Sequence, residues 1–421
     1  MVNEFLVSKK EKTYLRDLAK KQLMYSRLPI MKEREANWYK HNVLKGEKPM
    51  VIMEMASFQN DLMPELKCEN TFARKLEHDI QINIINHELV DDDKVMPDFI
   101  NVRQKINMKE LNIERHIKRA KDSKGRDIGY VTEHIINDLK EDFYKIEKSV
   151  YSYDKKYTDE SYNLTKEIIG DILDVNIYND TLRWFISLSA RCVNIMGMER
   201  LMYSMYDYPE ETHKLYEHIT TDAIEYINWQ QENDLLTLDN GNHLAGAGSF
   251  GFTNELPTNE YKKTGKITTK DLWINMNSQE SVGISPEMYK EFIYPSYEKV
   301  AKLFGLVYYG CCEPVHEIWE DCLINLPNLK KVSISPWCDE EYMGEALRGG
   351  SIIYSRKPSP NFIGVGKFNE SAFREHIKKT LMASKGCNVE IIFRDIYSLT
   401  GEPDKAKKAV AIVRELIEKH W

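Results

Sequence analysis

Short, nearly continuous apolar runs recur along this chain, most of them separated by stretches with helical spacing. That alternation constrains the fold more than any other feature. The runs are Met50–Met55, Asp98–Val102, Trp184–Leu188, Leu235–Asp239, Leu306–Tyr309, Lys331–Ser335, Ile352–Ser355 and Val389–Asp395. Strands that lack polar alternation are those of parallel sheets covered on both faces. Helices are expected from Ser285-Pro286-Glu287 to about Phe304, from Tyr208-Pro209-Glu210 to about Asn233, and from Pro403 to about His420. Each has proline near its start and acidic residues in its first turn, which suits the helix dipole. Eight strands alternating with helices predict the α/β class and a single (β/α)8 TIM barrel.

Two segments lie outside that pattern. Residues 1–44 are polar, with Tyr14, Leu15, Leu18 and Leu23 at helical spacing, and predict an N-terminal helical extension ahead of a barrel over 45–421. Residues 104–181 exceed one crossover, so an insertion is expected after strand 2, with a helical or hairpin excursion around Ile128–Ile136. A further strand-like run, Leu272–Asn277, falls inside the fourth crossover of that scheme.

Composition excludes several function classes. At 421 residues and a net charge of −8, with no basic stripe carrying interleaved aromatics, the chain does not read as a nucleic-acid binder. No apolar run is long enough to cross a bilayer, so no membrane association is expected, and Met1-Val2-Asn3-Glu4 does not open like a signal peptide. Seven cysteines, an odd number without framework spacing, fit a reducing compartment, and the expected location is cytoplasmic.

In a barrel, residues just after each strand ring one mouth, and there the chemistry gathers. Leu306-Val307-Tyr308-Tyr309-Gly310-Cys311-Cys312-Glu313-Pro314-Val315-His316 places two thiols, a carboxylate and an imidazole where a strand hands over to a helix. Adjacent cysteines do not readily bridge each other, so the pair reads as metal ligands, as a reactive thiol, or as packing. Zinc takes three or four N, S or O ligands, and this segment supplies at most Cys311, Cys312, Glu313 and His316. Other strand-end groups are Glu54, Arg103, Ser189, Asp239, Asn240, Ser335, Trp337, Arg356, Lys357, Arg394 and Asp395. Asp239–Phe252 carries four glycines able to bring backbone close to a ligand, but it lacks phosphate-cradle spacing. His243 within it is a candidate ligand or acid/base. Glu280 is either a loop carboxylate or a site residue, and Arg394-Asp395 either braces the last strand or faces ligand.

From about residue 45 to the C-terminus the chain resembles the uroporphyrinogen decarboxylase superfamily, and within it the branch of corrinoid-linked methyltransferases and O-demethylase-like proteins. The residues that carry this are Ser285-Pro286-Glu287-Met288-Tyr289 through Pro295, Gly310-Cys311-Cys312-Glu313-Pro314, Ser333-Ile334-Ser335-Pro336-Trp337 and Phe393-Arg394-Asp395-Ile396. Decarboxylases of this superfamily grip their substrate with an N-terminal arginine motif. Here Val51-Ile52-Met53-Glu54-Met55-Ala56-Ser57 has no arginine, so porphyrinogen decarboxylation is not expected. The methyltransferase branch binds zinc through His-x-Cys at the fifth strand's end and a later cysteine near the last strand. This chain has Tyr309-Gly310-Cys311 and, at the last strand, Asp395, while Cys387 precedes that strand.

The resemblance therefore implies a zinc site that is either lost or rebuilt around Cys311, Cys312 and Asp395, with His243 or Glu280 as substitutes. It implies a methyltransferase that moves a methyl group from a small methylated donor, such as a methoxylated aromatic, to the corrinoid of a separate corrinoid-binding protein. Zinc or a protonated Glu280 or Glu313 would activate the leaving group, with His243 a further acid/base and Glu54, Trp337, Arg356 and Arg394 contacting substrate. None of the eleven histidines stands in the Asp-x-His-x-x-Gly setting of a cobalamin-binding domain, so the corrinoid is expected from the partner. The alternatives are a decarboxylase or lyase using Arg356, Lys357 and Arg394 on a small acid, and a non-catalytic ligand-binding barrel. Monomer and homodimer are both open.

Overall fold

A computed structural model describes residues 4–114, 117–121 and 127–421. Two helices, α1 (Lys9–Ser26) and α2 (Pro29–Asn42), precede the strands. The strands are β1 (Met50–Met53), β2 (Phe99–Arg103), β3 (Ile106–Lys109), β4 (Ile117–Lys121), β5 (Asp127–Thr132), β6 (Val150–Tyr153) and β7 (Asp174–Tyr178). They continue as β8 (Leu244–Gly246), β9 (Ser249–Phe250), β10 (Trp273–Met276), β11 (Leu306–Tyr309), β12 (Leu329–Ile334), β13 (Ile353–Arg356) and β14 (Val389–Phe393). One sheet holds six of them in the order β1-β14-β13-β12-β11-β10, all parallel. A separate parallel pair joins β2 to β7, and β3–β6, β4–β5 and β8–β9 are antiparallel pairs.

The architecture is thus mixed α/β around a parallel sheet of six strands, not eight hydrogen-bonded in one ladder. Trp184–Leu188, expected as a strand, is helical across Leu182–Phe185 and from Leu188 to Met196. Its apolar run continues as Leu188, Cys192 and Ile195, all buried at helical spacing. Leu235–Asp239 is not a sheet strand, because side chains take over its backbone. Asn179 Nδ2 donates to Leu235 O at 2.9 Å, and the Asn179 N–H donates to Thr237 Oγ1 at 3.0 Å. The sixth strand is instead Leu272–Asn277, as β10, with Asp239 Oδ1 accepting from the Trp273 N–H at 3.0 Å.

The helix expected to open at Ser285 begins at Pro286 with Ser285 as its cap, and it widens into a π turn at Tyr289–Ile293 just before Pro295. Pro209–Glu232 and Lys405–His420 form the other two expected helices. The excursion after β2 is built from the β3–β6 ladder and the β4–β5 hairpin. It is tied back by Arg191, which bonds Glu110 at 2.6 Å and Asp222, while Asp222 Oδ1 accepts from the Ser149 N–H at 2.6 Å.

The six strands alternate, and the alternation separates two environments. Val51, Met53, Val307, Tyr309, Val332, Ile334, Tyr354, Ile391 and Phe393 join the main core under the helices. Met50, Ile52 and Ile392, with Trp38, Phe250 and Phe252, form a second cluster on the other face, as do Trp273 and Leu306 with Ala245 and Leu256. The β8–β9 hairpin lies against this second face. A Cβ on Gly246 would stand 2.5 Å from Asn275 Oδ1 and 2.6 Å from the Tyr308 ring, and one on Gly248, at φ +83°, 2.7 Å from Ile392. The glycines bring backbone close to the sheet's own side chains.

Candidate functional site

Charged and hydroxyl side chains occupy the hairpin-facing positions of β11 to β14. Lowest is Glu390, fully buried, whose Oε2 accepts from Lys331 Nζ at 3.0 Å, Ser249 Oγ at 2.9 Å and His41 Nε2 at 3.1 Å. Asn388 Nδ2 lies 3.2 Å from His41 Nδ1, so Nδ1 is the acceptor and Nε2 carries the proton. Burial opposes a charge on Glu390, but Lys331 and His41 outweigh it and hold the carboxyl below its ordinary range. Burial also drives the pKa of His41 and Lys331 down. His41 and Asn42 come from α2, and Asn42 Nδ2 donates to Phe250 O at 3.0 Å and Phe252 O at 2.7 Å. The N-terminal extension is therefore part of the sheet's packing.

Above this lies Lys357, one residue past β13. Its Nζ donates to Tyr308 Oη and Ser355 Oγ, both at 2.7 Å, and burial pushes its pKa from 10.5 down to about 7. Nearer the strand ends is Arg394. Its Nε lies 3.0 Å from Glu54 Oε2 and 3.8 Å from Asp395 Oδ2. Yet Nε and Nη1 are buried and make no well-directed hydrogen bond. Nε keeps its ion pair with Glu54, and Nη1 is left as unsatisfied donor capacity.

The thiols complete the group. Gly310, at φ +99°, turns the chain out of β11, where a Cβ would touch Ser333 Cβ at 3.0 Å. Cys312 Sγ lies 3.4 Å from Cys311 Sγ and 3.5 Å from Asp395 Oδ2. Cys312 has one proton to give, to Asp395 or to Cys311; given to Cys311, it lowers the Cys311 pKa against the cost of burial, with Arg394 adding to the effect. Cys312 is shifted upward by the same contact and by burial. Glu54, Arg394, Asp395, Cys312 and Cys311 form one continuous string at the C-terminal ends of β1, β14 and β11.

The remaining expected residues lie elsewhere or do other work. Glu313 is 3% exposed; Oε2 accepts from the Cys311 N–H at 2.9 Å and Oε1 from the Ser278 N–H at 2.8 Å. It pins the thiol turn to the loop after β10, and burial raises its pKa. Glu280 accepts from Ser189 Oγ at 3.1 Å, beside Tyr297 and Ser278. His243 stacks on Tyr178 and Phe99 of the β2–β7 pair, with ring centroids at 4.6 and 5.6 Å. Trp337 is 75% exposed on the rim. Arg356, expected to contact substrate, points away beneath the helices. It bonds Ile334 O at 3.0 Å, Ser335 O at 2.6 Å, and Glu340. The parity of β13 decides this, since Arg356 lies opposite in phase to Ser355 and Lys357.

The donor set does not fit zinc. Among the described residues, no group of three or more His, Cys, Asp or Glu side chains is arranged to hold a metal ion. Cys311 lies 3.4 Å from Cys312 and Cys312 3.5 Å from Asp395, but the Arg394 guanidinium stands 3.8 Å from that carboxylate and its charge opposes a cation there. Lys357 was marked from sequence as a strand-end group, whereas Lys331 and Glu390 were missed. Their signal was a charge within an apolar run, which a buried strand tolerates only with a partner.

No protein-family model matches the chain, and no curated protein does. Its fold is similar to that of a solved structure, a methyltransferase from Methanosarcina mazei. The two align with a TM-score of 0.51 at 12% identity, over 91% of this chain and 98% of the other. At that identity the likeness shows a shared fold. No helix among the described residues is long and apolar enough to cross a membrane.

Proposed function

We propose that the protein is a methyltransferase that passes a methyl group from a small methylated donor to the corrinoid of a separate protein, on a uroporphyrinogen decarboxylase-like barrel scaffold. The observation that carries this reading is the buried Arg394 Nη1, a donor without an acceptor, near the Cys311–Cys312 pair, on a fold shared with a methyltransferase. A corrinoid carrier would supply the nucleophile; the chain must make the methyl group leave. Departure of a phenolate or thiolate develops negative charge, and Arg394 Nη1, with Nε held by Glu54, is a donor held ready for it. Glu54 and Asp395 fix the guanidinium, and the Cys312 thiol is the nearest proton source for the departing atom. Glu313 acts by positioning the turn.

The test is to mix the enzyme with cobalt(I) cobalamin and a panel of methoxylated aromatics, methylamines and methyl thiols, following methylcobalt by its visible spectrum. Arg394→Gln is expected to lower the rate about 100-fold, the usual effect of losing a donor to a developing anion. Two cations on the hairpin-facing side nearer the strand ends, Arg394 and Lys357, favour a second reading, decarboxylation of a small acid. Failure across the panel together with carbon dioxide release from a carboxylate by the enzyme alone would establish that reading instead.

A further inference from the structure

Neighbouring cysteines are poor partners for a structural disulfide, because consecutive Cα atoms lie about 3.8 Å apart while bridged ones usually lie about 4.4–6.8 Å apart. In this chain the turn after β11 overcomes part of that obstacle. Gly310 takes a left-handed conformation, Glu313 anchors the Cys311 amide at 2.9 Å, and Ser333 Oγ donates to Cys311 O at 2.9 Å. Both sulfurs are thereby presented to each other at 3.4 Å. The two are not equivalent. Cys311 is 8% exposed, and the contact with Cys312 and the charge of Arg394 favour its thiolate, whereas Cys312 is more open and keeps its proton. One sulfur is set up to react and the other to resolve.

We propose that Cys311 and Cys312 close into a reversible vicinal disulfide when a hydroperoxide reaches the mouth, and that this closure takes the site out of action. The Cys311 thiolate attacks the peroxide O–O bond, giving a Cys311 sulfenic acid and hydroxide. Cys312 then attacks that sulfur, its proton leaves with the departing hydroxyl as water, and the S–S bond forms. Two electrons pass from the thiol pair to the peroxide. The ring that results is strained, and strained disulfides are the labile, readily reduced ones. A dithiol reductant therefore restores the site. The remaining cysteines, at 68, 192, 322, 338 and 387, are buried. Nearest in contacts is Cys338, which bonds Ser335 and the Glu313 carbonyl.

That closure silences the site rests on the methyl-transfer reading, whereas the closure itself is tested apart from it, since every readout is thiol chemistry on the full-length protein. Treat it with stoichiometric hydrogen peroxide, unfold, alkylate and map the peptides by mass. The peptide carrying Cys311 and Cys312 should be two hydrogens lighter and unalkylated, and dithiothreitol should reverse both. Cys312→Ser should trap a dimedone adduct on Cys311, and Cys311→Ser should leave Cys312 unmodified at the same dose. Phenylarsine oxide, which needs two adjacent thiols, should add once to the wild type and not to either variant. A Cys311 sulfinic acid beside a still alkylatable Cys312, or a bridge from Cys311 to Cys338, would overturn the proposal.

Discussion

Lys357 shows how one buried residue can be made to report on its surroundings. Its amine titrates near 7 in the folded chain against 10.5 for the free group. Between those values the unfolded chain binds the proton and the folded chain does not, so stability contributed at this site rises as pH climbs through that window. Below about 7 both states are protonated and the slope vanishes. Lys357→Met should therefore flatten the difference between unfolding midpoints measured at pH 7 and pH 9, and an unchanged slope would show that the amine is already charged when folded. Arg394 is the complementary case, a cation whose charge is fixed and whose geometry matters. From sequence it was expected either to brace the last strand or to face ligand, and it pairs with Glu54 while Nη1 has no acceptor.

Among the elements, the β8–β9 hairpin departs most from what the sequence implied. Four glycines in Asp239–Phe252 promise close backbone approach, and that much was legible; what they approach was not, because nothing local says that the loop folds back onto the sheet. Gly246→Ala would force a methyl group into Asn275 and Tyr308 and should cost about 1–3 kcal/mol. Gly241→Ala, with nothing within 4 Å of its Cβ, should leave the melting temperature unchanged. Equal effects from the two would deny the hairpin its place. The strand runs fared unevenly for a similar reason. The runs Leu306–Tyr309, Lys331–Ser335 and Val389–Asp395 hold strands because their neighbours complete a ladder, whereas Trp184–Leu188 turned helical and Leu235–Asp239 has no ladder, its Leu235 carbonyl taken by Asn179. Pairing partners distant in sequence, not local hydrophobicity, decided both. The thiol pair, Glu54, Arg394 and Asp395 were all marked in advance by their strand-end positions, and Arg356 was misplaced by one step of alternation.

Taken whole, the molecule has a floor and an opening. α2, the hairpin and the His41–Glu390–Lys331 ions fill the side of the sheet nearest the strand starts, while the thiols and Arg394 stand at the strand ends. The consequence is a matter of traffic. On the proposed methyl-transfer reading, both visitors come to the thiols from the strand ends, and a protein bearing a corrinoid is far too large to leave room there for a latecomer. The methyl donor then binds first and the carrier closes behind it. Raising the carrier concentration at fixed donor should therefore speed turnover and then slow it, as carrier docked on an empty enzyme bars the way. A rate that only saturates would mean that the donor has a second way in.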